Sequence, residues 1–141
     1  MDDARSFRIL VGGLIYLTHT RPDIVFSVGV ISRFMQQSSK VHFGAAKRVL
    51  RYIAGTMDYG IWYSQVSNFR LCGFTDSDYV GSLDDRQSIS AHVSTLGSGV
   101  VTWSSKKQAT TTLSTLEAEY FAATSATYQA IWLRRMLAEL L

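Results

Sequence analysis

Apolar positions recur with a helical period through the first part of the chain and with a period of two after about residue 60. The run 6–20, SFRILVGGLIYLTHT, is apolar apart from a glycine pair and a few polar positions, and predicts a helix. In 21–37, RPDIVFSVGVISRFMQQ, Pro22 suits a first helical position and Asp23 the first turn, where unpaired N–H groups favour a negative charge. Phe26, Val30 and Phe34 follow at every fourth position and are expected to face a core. A third helix is expected in 38–56, SSKVHFGAAKRVLRYIAGT, with Phe43, Ala46, Leu50 and Ile53 on one face and Gly55 as its stop. Beyond Gly60, IWYSQ and FRLCGFT read as short strands joined through VSN. SISAHVSTL alternates Ile89, Ala91 and Val93 with polar neighbours, GSG (97–99) marks a turn, and VVTWSSK reads as a further strand. The final stretch, LSTLEAEYFAATSATYQAIWLRRMLAELL, contains neither Gly nor Pro and predicts one long helix whose broad apolar surface is buried on more than one side. The pattern is α+β: a helical segment over 1–60, then a second unit over 61–141 made of an antiparallel three-stranded meander and one long C-terminal helix.

That last helix carries two glutamates with different prospects. Ser114 and Glu117, in STLE, match a capping box, in which the two side chains satisfy each other's backbone N–H groups. Glu119 lies about 200° further round the helix and has no such duty. It is expected to share a face with Ala122, Ala123 and Ala126, a row of small side chains suited to close packing on a sheet. A carboxylate there is costly unless something pairs with it. Asp76 and Asp78, spaced i and i+2 at the end of an apolar strand, share one strand face. Two readings stand at this point. The strand aspartates and Glu119 hold a divalent metal ion, or Glu119 reaches water while the Asp pair opens a turn. Asp84 and Asp85 sit beside Arg86 in a loop.

Composition narrows the setting. The 141 residues are 47% hydrophobic and 18% charged, enough for a packed core. The net charge is only +3, yet residues 21–51 hold six basic side chains against the single acid Asp23. Lys47, Arg48 and Arg51 fall off the apolar stripe of their helix and are candidates for contact with nucleic-acid phosphates. One cysteine, Cys72, excludes an internal disulfide. The acidic start, MDDARSFRIL, is unlike a secretory leader, and the longest apolar run, ILVGGLIYL, is too short to span a bilayer. An intracellular, cytoplasmic or nuclear protein without membrane contact is expected. His19, His42 and His92 lack metal-ligand spacing, and no Walker loop, G-x-G-x-x-G or G-x-S-x-G occurs.

Three stretches, GFTDSDYVGSLDDRQSIS, GSGVVTWSSKKQ and LSTLEAEYFAATSATYQAIWLRRML, together resemble the start of the ribonuclease H domain in Pol polyproteins of copia-type LTR retrotransposons, those of plants above all. Upstream, VGGLIYLTHTRPDIVFSVGVISRFMQQ and AAKRVLRYIAGTMDYGIWY resemble the end of the preceding reverse transcriptase region. The resemblance implies a mixed sheet with helices on it, and hydrolysis of RNA in an RNA–DNA hybrid by two Mg2+ ions held on acidic residues. By motif, Asp76 and Glu119 match two of those catalytic, metal-holding acids, and Asp78 is a possible additional acid. The partners implied are an RNA–DNA hybrid or other nucleic acid, and the remainder of Pol.

The match is incomplete. After Glu119 the only acid is Glu139, about five turns along the same helix. The resemblance therefore implies a truncated ribonuclease H-like unit with half of its metal ligands, inactive on its own. The Asp76 strand would lie at an edge and recruit other strands, giving self-association. Gln87, Ala91 and Ser94 stand where the family has a basic residue, Gly and an aromatic or apolar residue. The competing readings are a non-catalytic nucleic-acid-binding module and a functionless transposon remnant.

Overall fold

A computed structural model describes residues 4–67, 69–81 and 86–140. The chain divides into two compact units, Met1–Ile61 and Trp62–Leu141. Among the described residues no helix is long and apolar enough to cross a membrane.

The first unit is built from α1 (Ala4–Leu17), a 3-10 turn (Pro22–Ile24), α2 (Val25–Ser32) and α3 (Lys40–Ala54). Phe7, Val11 and Leu14, spaced four and three apart, give α1 one buried face. They meet Ile24, Val28 and Ile31 and, from α3, Ala46 and Val49. Phe7, Val11, Ile24 and Val28 are almost wholly buried, each contributing about 1.5–3 kcal/mol by leaving water. The expected stripe on the second helix is corrected. Its core face is Ile24, Val28 and Ile31, whereas Phe26 is 54% exposed. Pro22 starts a tight 3-10 turn rather than the α-helix itself, and that rotates the following residues relative to a single continuous helix. On α3, Ala46 is buried as expected, but Val49 takes the central place and Leu50 is 40% exposed. Ser39 and His42 cap α3 reciprocally: the His42 N–H donates to Ser39 Oγ (3.4 Å) and the Ser39 N–H donates to His42 Nδ1 (3.0 Å). The His42 ring also stacks on Phe34, 3.9 Å between centroids.

One polar clip closes this unit. Arg21, 8% exposed, donates from Nε (2.9 Å) and Nη2 (2.7 Å) to the Asp23 carboxylate. Its Nη1 donates to the Thr56 carbonyl (3.1 Å) and Nη2 to Thr56 Oγ1 (2.7 Å). The guanidinium lies 5.8 Å from the Tyr52 ring centroid. The fork geometry of arginine thus ties the 3-10 turn to the end of α3. The hydrogen bond from Arg21 holds the Asp23 carboxyl below its usual range.

The second unit is a three-stranded antiparallel sheet in the order β1-β2-β3, followed by α4. The strands are β1 (Leu71–Asp78), β2 (Ile89–Leu96) and β3 (Gly99–Lys107), and α4 is Thr115–Leu140. In the register Asp76 faces Ala91, Ser77 faces Ser90 and Asp78 faces Ile89. Gly97 turns the β2–β3 hairpin with φ 60°, a conformation that favours glycine. The expected strand IWYSQ is not one. Tyr63 and Ser64 instead lie beside that hairpin, with Tyr63 OH donating to the Val100 carbonyl (2.6 Å) and the Ser64 N–H donating to Ser98 Oγ (2.8 Å). The Tyr63 ring occupies the space where a β-carbon on Gly99 would sit.

α4 packs on β1 and β2. At about 39 Å it outruns its strands, which span about 26 Å. Burial on more than one side, expected from its composition, is corrected. Only Ala118 and Ala122 are buried, while Tyr120, Phe121, Tyr128, Ile131 and Trp132 are exposed. The helix is apolar on two sides and the sheet covers one.

Candidate functional site

Successive side chains of β1 leave opposite faces of the sheet. Phe74, Asp76 and Asp78 therefore share one face, and Thr75 and Ser77 the other. Gln108, one residue beyond β3, identifies the face that α4 covers. Its Nε2 donates to Ser90 Oγ (2.7 Å) and to the Ala118 carbonyl in the first turn of α4 (3.0 Å). Ser90 stands directly across from Ser77, and Ser77 Oγ is itself buried. The small residues Ala118 and Ala122 let the helix approach this layer closely. α4 thus lies over the Ser77 side.

Asp76 sits on the opposite side, near the end of an edge strand, and is exposed. Glu119 lies one position past buried Ala118 and is exposed as well. The expected row Glu119, Ala122, Ala123 and Ala126 is corrected: the sheet-facing positions are Ala118 and Ala122, and Ala123 is exposed. The candidate carboxylates thus belong to two elements that pack on one another, each at an exposed position.

Asp78 is drawn into the turn that leaves β1. The Gly81 N–H donates to the Asp78 carbonyl (3.3 Å), and a β-carbon built on Gly81 would collide with the Asp78 carboxylate. Val80 and Arg86 have φ of 55° and 54°, so the described ends of this connection hold two non-glycine residues in the left-handed region. Asp84 and Asp85 lie outside the described residues. A cleft of about 490 Å³ opens here, lined by Tyr79, Val80, Arg86, Thr111, Thr112 and Leu113. Tyr79 OH donates to the Leu113 carbonyl (3.4 Å), and Ser88 Oγ meets Thr112 Oγ1 at 2.9 Å behind it. Neither Asp76 nor Glu119 lines that cleft.

The start of α4 follows the expected cap with one change. The Glu117 N–H donates to Ser114 Oγ (3.1 Å), and Glu117 Oε2 accepts from the N–H of Leu113 (2.7 Å) rather than that of Ser114. Glu117 is thereby committed to the helix end, which leaves Glu119 as the uncommitted acid of the pair.

Among the described residues no group of three or more His, Cys, Asp or Glu side chains is placed to hold a metal ion. Mg2+ accepts one or two carboxylates plus water and substrate oxygens, but a pair of ions needs bridging acids.

Lys47, Arg48 and Arg51 lie in the first unit, all exposed, on the side of α3 turned away from Ala46 and Val49. Lys47 Nζ is 5.2 Å from the Phe43 ring centroid. Two residues of consequence carry little signal in the sequence: Gln108, which fixes α4 to the sheet, and Thr56, which accepts from Arg21. A polar residue just past an alternating strand was the available signal for the first. Nothing local marks the second, because its partner is 35 residues away.

No family model matches the chain, and no solved structure matches it significantly. It is 44% identical over 131 residues to the Retrovirus-related Pol polyprotein from transposon TNT 1-94 of Nicotiana tabacum, covering 92% of this chain and 10% of that protein. It is 37% identical over 140 residues to the Retrovirus-related Pol polyprotein from transposon RE2 of Arabidopsis thaliana, 99% of this chain and 10% of that one. It is also 42% identical over 124 residues to the Secreted RxLR effector protein 161 of Plasmopara viticola, 87% of each. The chain thus spans a tenth of the length of these Pol polyproteins and most of the effector.

Proposed function

The chain belongs to the retrovirus-related Pol polyproteins of copia-type LTR retrotransposons, and from that premise we propose that its second unit is part of a ribonuclease H-like domain and that its first unit closes the reverse transcriptase region. The reaction associated with such a domain is hydrolysis of the RNA strand of an RNA–DNA hybrid. One observation carries the reading. A three-stranded antiparallel meander is followed by a long helix packed on β1, with Asp76 near the end of that strand and Glu119 in the second turn of the helix. In this reading Asp76 and Glu119 are two acids of a metal site that draws its others from further polypeptide. The 141-residue chain by itself then does not cleave.

The test uses a labelled RNA–DNA hybrid with Mg2+. The isolated chain is expected to cleave no faster than its Asp76→Asn and Glu119→Gln variants. A fusion to the following region of the tobacco Pol polyprotein is expected to cleave, and to lose that activity with either substitution. Robust cleavage by the isolated chain that both substitutions abolish overturns the inactivity. A cleaving fusion indifferent to both substitutions overturns the assignment of the two acids.

A second reading, binding of nucleic acid without cleavage, is favoured by the exposed cluster Lys47, Arg48 and Arg51 on α3. Hybrid affinity should then fall steeply with salt. Removing one phosphate-contacting cation should lower the log–log salt slope by about one.

A further inference from the structure

We propose that the outer side of α4 is a self-association surface, on which α4 of a second copy of this chain packs antiparallel. The sheet takes the Ala118–Ala122 side of the helix. Round the helix from these alanines, on its flank and outer side, Phe121, Tyr128, Ile131 and Trp132 recur at helical spacing and are 44%, 72%, 46% and 52% exposed. A helix this apolar on a second side is seldom left bare in water.

Area and charge identify the occupant. An aromatic side chain presents about 200 Å², so these four residues with Tyr120 leave about 550 Å² uncovered per copy. Two copies sharing the stripe would bury about 1,100 Å², at the lower end of specific interfaces. The association is accordingly weak and depends on concentration. Glu117 and Arg135 stand about five turns apart and so fall on the same side as the stripe. An antiparallel pair centred on residue 126 places Glu117 of each copy opposite Arg135 of the other, twice by two-fold symmetry. The same register sets Phe121 against Ile131 and Tyr120 against Trp132. Glu117 Oε2 is engaged by the Leu113 N–H, and its other oxygen serves the arginine. The two helix dipoles also oppose one another in this arrangement. Glu119 lies on another side of the helix, so the interface does not rest on the reading of the acidic site.

Sedimentation velocity on the full chain, from about 1 µM to several hundred µM, tests the idea. A monomer–dimer equilibrium is expected. Ile131→Glu and Trp132→Glu should each weaken it about tenfold or more, as removal of a central interface side chain does. Arg135→Glu should weaken it less, and circular dichroism should show every variant folded. In a Cys72→Ser background, spin labels at Glu139→Cys should lie about 40 Å apart in the dimer, since residue 139 then faces residue 113. The proposal is overturned by a monomer at every concentration, or by a dimer indifferent to Ile131→Glu and Trp132→Glu but removed by Thr75→Pro, which would place the contact at the β1 edge. Label separation below about 20 Å, the parallel arrangement, also overturns it. So does a chain that stays monomeric while a separately added Pol segment shields Trp132 from quencher.

Discussion

Lengthening Ala122 to leucine tests the packing that sets where Glu119 stands. Ala122 is 1% exposed and Ala118 is fully buried, so the added carbons have no free space to enter. α4 cannot simply retreat, because the Gln108 side chain joins the Ala118 carbonyl to Ser90 at 3.0 and 2.7 Å. Overpacking costs about 1–3 kcal/mol. Retreat would cost a similar amount, about 1–3 kcal/mol, by leaving the buried amide without its acceptor. Ala123→Leu, one residue further round the helix at an exposed position, should change stability by no more than about 0.5 kcal/mol. All three tryptophans, Trp62, Trp103 and Trp132, belong to the second unit, so their fluorescence follows its unfolding without reporting on the first. For a unit of this size 1 kcal/mol corresponds to about 4–8 °C. Ala122→Leu should therefore lower the fluorescence-detected Tm by roughly 5–20 °C, while Ala123→Leu leaves it nearly unchanged. Equal destabilisation by both, or by neither, would refute the orientation of α4 and with it the placement of Glu119.

Two further outcomes are expected. His92 is held below its ordinary range, first by burial and then by Lys106. Its unfolded form binds the proton more tightly, so stability should be complete above about pH 6.5 and decline as pH falls from there toward the lowered folded value. Urea melts between pH 5 and 7.5 should show this slope, and it should shrink in His92→Gln. Ser114→Ala removes the acceptor of the Glu117 N–H and should cost about 1 kcal/mol, measurable as a lower urea midpoint at unchanged m.

The elements with a strong local signature were legible in the sequence. Ser114 and Glu117 announced the start of α4, Gly55 ended α3, and the Ile89–Ala91–Val93 alternation gave β2. The differences share a cause: apolarity does not by itself mean burial. Phe26, Leu50 and much of α4 are apolar and exposed, and IWYSQ has strand-like composition without a strand's pairing. The candidate site divides the same way. Asp76 and Glu119 could be selected by motif and by the prior commitment of Glu117. Which sheet face α4 covers could not, because Gln108 decides that from a distance in sequence.

The free flank of β1 has a bearing on any chemistry at Asp76. Among the described residues that strand is hydrogen-bonded to β2 and to no other strand, so the backbone carrying Asp76 is fixed from one side. A strand that joined there, from the same polypeptide or from a different one, would bring its own side chains alongside Asp76. The scaffold and any reactivity would in that sense be modular: this chain holds the acid in position, and a strand added at β1 would set its surroundings.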